Sequence, residues 1–293
     1  MQRFAIYGRE FNEKFNDQIK AFFAMLDEHD CSYQIYLPFC ELMKKQIGLK
    51  DGIATFTKES FDPSQHDIML SIGGDGTMLD TTTFVRDSKL PILGLNTGRL
   101  GFLSSINLDQ MEEAMQQVFK SKYMIDTRSV LKAVTEEGLF DDENFALNEL
   151  TIHKKDSQSM IVVHVYVDGK YLNTYWADGL IIATPTGSTA YSLSCGGPII
   201  LPNSSNFIIT PVANHNLTVR PVLISDESVI TLKVEGRSEN LLMSLDSRST
   251  TISDGAVVTV MRNDFEINLV RLKTHSFLKT LRQKLHWGYD RRN

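Results

Sequence analysis

Three glycines and one aspartate stand together in SIGGDGTMLD, residues 71–80, directly after the apolar run HDIMLSI. Glycine accepts positive φ and lets another molecule approach the backbone closely, so an acid in such a loop meets whatever arrives. Gly73, Gly74 and Gly76 around Asp75 suit a phosphate cradle with a catalytic carboxylate; a tight turn with a capping acid explains the same letters. The stretch follows a strand-like run and opens a helix-like one, where free backbone N–H groups bind phosphate. Leu79 stands where the third glycine of GxGxxG would be, and no GxxxxGK[ST] occurs, so both of those nucleotide loops are excluded.

Other residues join this loop. LGLNTGRLGFL, residues 93–103, places Gly94, Gly98 and Gly101 around Asn96 and Arg99 after the next strand-like run. Adjacent parallel strands that each end in a glycine-rich loop define a crevice at their carboxyl ends. NELTIH sets Asn148 beside Glu149; strand neighbours face opposite ways, so both reach one ligand only at a strand end or bulge. ADGLIIATPTGSTAYSLSCGGPI, residues 177–199, carries Asp178 and then the hydroxyls of Ser188, Thr189, Tyr191, Ser192 and Ser194. Capping accounts for one such hydroxyl, not five, and the rest suit ribose, phosphate and base edges. SLSCG lacks the first glycine of GxSxG and no SxxK follows, which excludes those hydrolase nucleophiles. The histidines form no HExxH and no Cys/His cluster with zinc spacing, so no structural metal is expected. His215 reads as a surface or core histidine before it reads as a site residue.

These residues need elements to hold them. Over the first 120 or so residues, strand-like runs (RFAIYG, SYQIYLPF, HDIMLSI, LPILGL) alternate with helical ones. Phe11, Phe15, Ile19, Phe22 and Leu26 recur at helical steps, as do Met111, Met115, Val118 and Phe119. That alternation predicts an α/β domain with a parallel sheet covered on both faces. From about Met124 the runs become short, β-branched and punctuated by Gly, Asp and Asn, which predicts a mainly β domain. SFLKTLRQKLHW returns to helical spacing through Phe277, Leu281 and Leu285 and is expected to pack back on the first domain. From Gly179 through Val219 the chain carries no Asp, Glu, Lys or Arg; a cleft wall and a buried segment explain this equally.

Composition narrows the class. The 293 residues are 42% hydrophobic and 23% charged, with a formal net charge of −6. That charge and the lack of a basic block argue against nucleic acid as a partner. No apolar run approaches the roughly 20 residues of a membrane span, and the charged N-terminus fits no signal peptide. Three cysteines without a CxxC pair argue against a disulfide framework. A cytoplasmic location is expected.

Taken in order and spacing, GGDGT, NTGRLGFL, NELTIH, DGLIIATPTGSTAYSLSCGGP and HNLTVRP resemble the NAD kinase family. The resemblance implies transfer of the γ-phosphate of ATP to the 2′-hydroxyl of the adenosine ribose of NAD, with a divalent cation such as Mg²⁺. It implies an α/β nucleotide-binding domain (1–123 with 275–293), a β-rich NAD-binding domain (124–274), a cleft between them, and a dimer or tetramer. By position, Asp75 corresponds to the catalytic carboxylate with Gly76 beside it, and Asn148 and Glu149 to a pair that holds NAD. Asp178 and Thr189, Ala190, Tyr191, Ser192, Leu193 and Ser194 correspond to further NAD contacts, Tyr191 as a stacking ring and Asp178 as a contact that a neighbouring subunit can supply. Trp176, Ser159 and Arg248 depart from the residues common in the family, which leaves NAD against NADH open. GGDGT also occurs in diacylglycerol-type lipid kinases, and a non-catalytic dinucleotide sensor would keep the binding residues without needing Asp75.

Overall fold

The computed structural model describes residues 2–98, 101–104, 106–155, 160–236 and 241–287. Arg99 and Ser159 lie outside the described residues. The chain divides into two compact units, Met1–Thr127 with Ile267–Asn293, and Arg128–Glu266.

The first unit is an α/β domain around an eight-stranded sheet. Its order is Thr55–Phe56, Ser32–Tyr36, Arg3–Gly8, Ile68–Gly73, Ile92–Asn96, Ile267–Leu272 and Tyr123–Arg128, with Ile106–Asn107 paired to Ile92–Asn96. Every pairing from Thr55–Phe56 through Ile267–Leu272 is parallel. Ile68–Gly73 and Ile92–Asn96 are buried along their whole length, as strands covered on both faces must be. The helix Asn16–Glu28 buries Ile19, Phe22, Phe23, Met25 and Leu26, and Met111–Phe119 buries Met111, Ala114, Met115 and Val118. Leu37–Ile47 starts with a proline in its first turn and ends at Gly48 with φ 69°, the usual asymmetry of helix ends. In Asp75–Val85 the buried threonines return their hydroxyls to their own helix: Thr81 to the Thr77 carbonyl at 2.8 Å, Thr82 to Leu79 at 2.6 Å, Thr83 to Asp80 at 2.9 Å. That is how a polar TTT run sits in a core.

The chain re-enters this unit earlier than residue 275. The run INLVRL reads as well for one sheet as for the other; its parallel pairing, Leu269 opposite Ile92, puts it in the first. Tyr123–Arg128 joins the same sheet. The final helix, Phe277–Leu285, is capped by the Ser276 hydroxyl, which accepts the Lys279 N–H at 3.3 Å. Leu281 is buried, the Phe277 ring lies 6.2 Å from that of Phe102, and Lys284 Nζ sits 4.8 Å over the same Phe102 ring.

The second unit is a sandwich of two six-stranded antiparallel sheets. One runs Val222–Ser225, Asn206–Val212, Gly179–Ala183, Glu149–Lys154, Leu241–Leu245, Arg248–Ile252; the other Lys170–Ala177, Ile161–Val167, Ile230–Glu235, Val257–Arg262, Leu131–Thr135, Phe145–Ala146. Leu150, Ile152, Leu180 and Ile182 from the first sheet pack with Val163, Tyr175, Leu232 and Val258 from the second. Ile181 and Ala183 turn the other way and meet Ile208, Cys195 and Ile200. Gly179–Ala183 is therefore buried on both faces, which explains its uninterrupted LIIA.

Candidate functional site

Gly73 and Asn96 are register partners at the carboxyl ends of adjacent parallel strands, so both glycine-rich loops leave the sheet together. Gly73 has φ 157°, and a β-carbon there would come 2.2 Å from Thr77 Oγ1. Asp75 begins the helix Asp75–Val85, with Gly74 as the capping residue before it. Its Oδ2 accepts the Phe102 N–H at 2.8 Å; its Oδ1 accepts those of Leu103 at 3.1 Å and Ser104 at 2.9 Å. Three amides of the second loop thus converge on the acid of the first. Gly101 passes so close that a β-carbon on it would lie 1.8 Å from Asp75 Oδ1. Asn96 fastens the same loop: its amide donates to the Ser104 carbonyl at 3.0 Å, and its Oδ1 accepts the Gly98 N–H at 2.6 Å. On the neighbouring strand's end, Arg9 pairs with Asp80 of the same helix at 2.6 Å.

Gly74 and Gly76 behave differently. A β-carbon on either meets nothing within 4 Å, so no contact among the described residues accounts for their lack of a side chain.

In the second unit, Asn148 and Glu149 stand where the strand Glu149–Lys154 begins. Leu150 and Ile152 enter the sandwich core, so Glu149, Thr151 and His153 share the opposite face. The cross-strand partners on that face are Ala183, Ile181 and Gly179. Gly179 is tight against it: a β-carbon would come 2.6 Å from His153 Nδ1. Burial, helped by the nearby Asp246 carboxyl, pushes the Glu149 carboxyl up to about 8. Glu149 Oε2 is buried with no hydrogen-bond partner among the described residues. The ring of His153, itself pushed down by burial, stacks on Tyr191 with centroids 5.4 Å apart. Asp178 Oδ1 pairs with Lys154 Nζ at 2.6 Å. Burial raises the Tyr191 hydroxyl, with smaller contributions from Asp178 and Glu149. Tyr191 thus stands within electrostatic reach of both Asp178 and Glu149, and Asn148 directly precedes Glu149 in the chain.

The hydroxyl-rich run is a short 3-10 turn, Thr186–Thr189, followed by the one-turn helix Tyr191–Ser194. Three of its five hydroxyls bond within the fold. Ser188 Oγ accepts the Ile200 N–H at 3.1 Å, and Ser192 Oγ, fully buried, pairs with Thr210 Oγ1 at 2.9 Å. Thr189 Oγ1 donates to the Thr186 carbonyl at 3.3 Å. Ala190, Tyr191 and Ser194 line the accessible side, with Leu193 half-buried. Gly187 lets this run lie on the NE segment, since a β-carbon on it would come 2.2 Å from the Asn148 carbonyl oxygen. His215 is exposed and its N–H donates to the Trp176 carbonyl at 3.1 Å.

Residues 34–123 match the family model of the ATP-NAD kinase N-terminal domain, and residues 147–272 that of the ATP-NAD kinase C-terminal domain. The chain belongs to the ATP-NAD kinase family. It is 45% identical to the NAD kinase of Cytophaga hutchinsonii, over 99% of both chains. In fold it is similar to the crystal structure of yeast NADH kinase complexed with NADH, with a TM-score of 0.86 and 24% identity over 99% of this chain and 89% of that one. It is similar also to an NAD kinase from Archaeoglobus fulgidus in complex with ATP, with a TM-score of 0.75 and 23% identity over 97% and 98% of the two chains.

Within this family member, sequence reasoning overlooked three kinds of participant. His153 and Lys154 were signalled by the alternation of ELTIHK, which puts residue 153 on the face of residue 149. Phe102, Leu103 and Ser104 act through backbone amides, which carry no side-chain signature. Asp246 carries no motif of its own in the sequence, although its carboxylate holds the NE segment.

Proposed function

We infer that this chain is an ATP-dependent NAD kinase that phosphorylates the 2′-hydroxyl of the adenosine ribose of NAD to give NADP. The observation that carries the reading is Gly74-Asp75-Gly76 at the start of a helix: two glycines whose bareness serves no neighbour among the described residues, flanking a fixed carboxylate. Open backbone at a helix N-terminus suits phosphates, and a held acid suits an alcohol acceptor. Family membership supplies the substrates, since the curated relatives are named NAD kinase over the full chain.

In this reading Asp75 orients the 2′-hydroxyl and takes its proton late. Phosphoryl transfer passes through a loose transition state in most analyses, so early deprotonation is not required. A carboxylate offers about four acceptor positions; three accept loop amides here, which leaves about one for the ribose. The loop amides hold the acid in line without needing to reorganise as charge moves. Asn148 and Glu149 hold NAD, Tyr191 stacks on a ring, and Ala190, Leu193 and Ser194 with the backbone of Thr189 and Ser192 form the wall beside it. Asp178, fixed by Lys154, is a further contact.

No group of three or more His, Cys, Asp or Glu side chains among the described residues could hold a metal ion. The divalent cation, Mg²⁺ in this proposal, therefore arrives on the ATP phosphates as part of the substrate and neutralises their charge. We propose a dimer or tetramer as well. The edge strand Lys170–Ala177 exposes Tyr171, Leu172 and Trp176, and exposed apolar edge strands call for cover. A cytoplasmic location is proposed from the free Cys31, Cys40 and Cys195 and the need for ATP.

Incubation with MgATP and NAD, read with an NADP-specific dehydrogenase, tests the reading. NADP should form. Phosphorylation of a diacylglycerol with no NADP would overturn it, and tight NAD binding without turnover would make the chain a sensor.

A further inference from the structure

A two-residue turn, Asp246-Ser247, joins the strands Leu241–Leu245 and Arg248–Ile252, with Leu245 opposite Arg248 and Asp246 at φ 54°. The Asp246 carboxylate accepts three consecutive backbone N–H groups. Leu147 donates to Oδ2 at 2.8 Å; Asn148 and Glu149 donate to Oδ1 at 2.8 and 3.2 Å. In return the Asp246 N–H donates to the Glu149 carbonyl at 3.0 Å. Two residues on, the Arg248 guanidinium donates to the carbonyls of Glu143 and Phe145 and lies 5.0 Å over the Phe145 ring. One turn thus grips the segment leading into Asn148-Glu149 by its N–H groups and its carbonyls alike.

We propose that Asp246 is a positioning residue for the dinucleotide: it sets the backbone of Leu147–Glu149 and so fixes where Asn148 and Glu149 meet NAD. The proposal rests on the reading above of that pair as NAD-holding. Leu147 and Asn148 are buried, so without the carboxylate their N–H groups lose a partner that water does not replace. The segment must then shift.

The charge of Asp246 matters as well as its shape. The groups around Glu149 are Asp246 from the turn, Tyr191 from the one-turn helix, whose backbone N–H donates to the Glu149 carboxyl, and Cys195 at that helix's end. Burial pushes Asp246 up too, but three amides and Arg248 favour its ionised form. Glu149 accepts one amide, that of Tyr191, against three on Asp246, and its Oε2 has no partner among the described residues, so Glu149 is the member of the pair that holds a proton more readily and can then offer an O–H to an acceptor on the ligand. Removing the charge of Asp246 removes part of the reason for that proton.

The test is steady-state kinetics of the full chain from pH 6 to 9. Asp246→Asn keeps an acceptor for Asn148 and Glu149 but turns an NH₂ toward the Leu147 N–H. The KM for NAD should rise by about tenfold or more, with the KM for ATP unchanged. The pH at which the NAD KM changes should also move down. Glu149→Gln should abolish that pH change in the native hairpin. A folded Asp246→Asn protein with normal NAD KM would overturn the proposal. So would a native pH profile that Glu149→Gln leaves unaltered, and this arm decides even if Asp246→Asn does not fold. Native protein that makes no NADP would instead overturn the functional reading.

Discussion

A β-carbon on Gly101 would stand 1.8 Å from Oδ1 of Asp75, inside space that the carboxylate already occupies. The two glycine loops are therefore one construction: the second loop is shaped around the acid of the first. Gly101→Ala should push the loop off Asp75, break amide contacts from Phe102 to Ser104 and lower kcat. Gly76→Ala adds its methyl to open space and should leave the melting temperature unchanged while raising the KM for ATP or NAD. Thermal melts and kinetics on the two variants check this. Equal losses of stability would mean that the open space at Gly76 has no ligand to serve.

Asp75→Asn tests the acid itself. Loss of a positioned general base costs on the order of 10²–10⁴ in rate. From sequence alone the melting temperature should barely move, because Asn forms turns as well as Asp does. The three loop amides change that expectation: an Asn offers one acceptor oxygen and sets an NH₂ against the N–H of the other contact. A loss of about 1–3 kcal/mol in stability should accompany the fall in kcat. A folded variant with near-native kcat would reduce Asp75 to a clasp between loops.

Glu149 gives stability a pH signature. Its carboxyl is raised to about 8 in the folded protein, against about 4.3 in an unfolded chain. The folded state then binds more protons than the unfolded one across that window, so stability falls as pH rises from about 4 to 8. The full effect is bounded by about 5 kcal/mol. Glu149→Gln removes the ionisable group, so its advantage over native protein in chemical denaturation should be larger at pH 8.5 than at pH 5. A difference independent of pH would show that Glu149 titrates normally.

Assembly has its own measurement. If the exposed face of Lys170–Ala177 is covered by a second copy, Trp176→Lys should shift the sedimentation coefficient to that of a smaller species. If Asp178 also serves a neighbour's site, activity should fall with the assembly. A fully active monomer would leave the kinase reading intact and reject the shared site.

Much of this was legible in the sequence where periodicity and glycine speak for themselves. The buried parallel strands, the amphipathic helices and the glycine loops after Gly73 and Asn96 fall where their patterns put them. Other features were not. Ser188 and Ser192 look like ligand hydroxyls in a string of letters, yet their partners, Ile200 and Thr210, are fixed only by folding. INLVRL carries no mark of which sheet it will join. The amides that hold Asp75 and the NE segment belong to the backbone, which every residue shares, so only the acid at the other end is visible. Arg248 serves as a strap on Glu143 and Phe145, a role that only the folded chain reveals.

The first unit is assembled from both ends of the chain, and this has a consequence for synthesis on the ribosome. Ile267–Leu272, the strand that pairs with Ile92–Asn96, emerges only after the whole of the second unit has been made. The helix that holds Phe102, whose N–H donates to Asp75, emerges later still. The sandwich can close while the α/β sheet still waits for its late strand. The nascent chain therefore completes the packing around the loop that holds Asp75 only at the end of its synthesis.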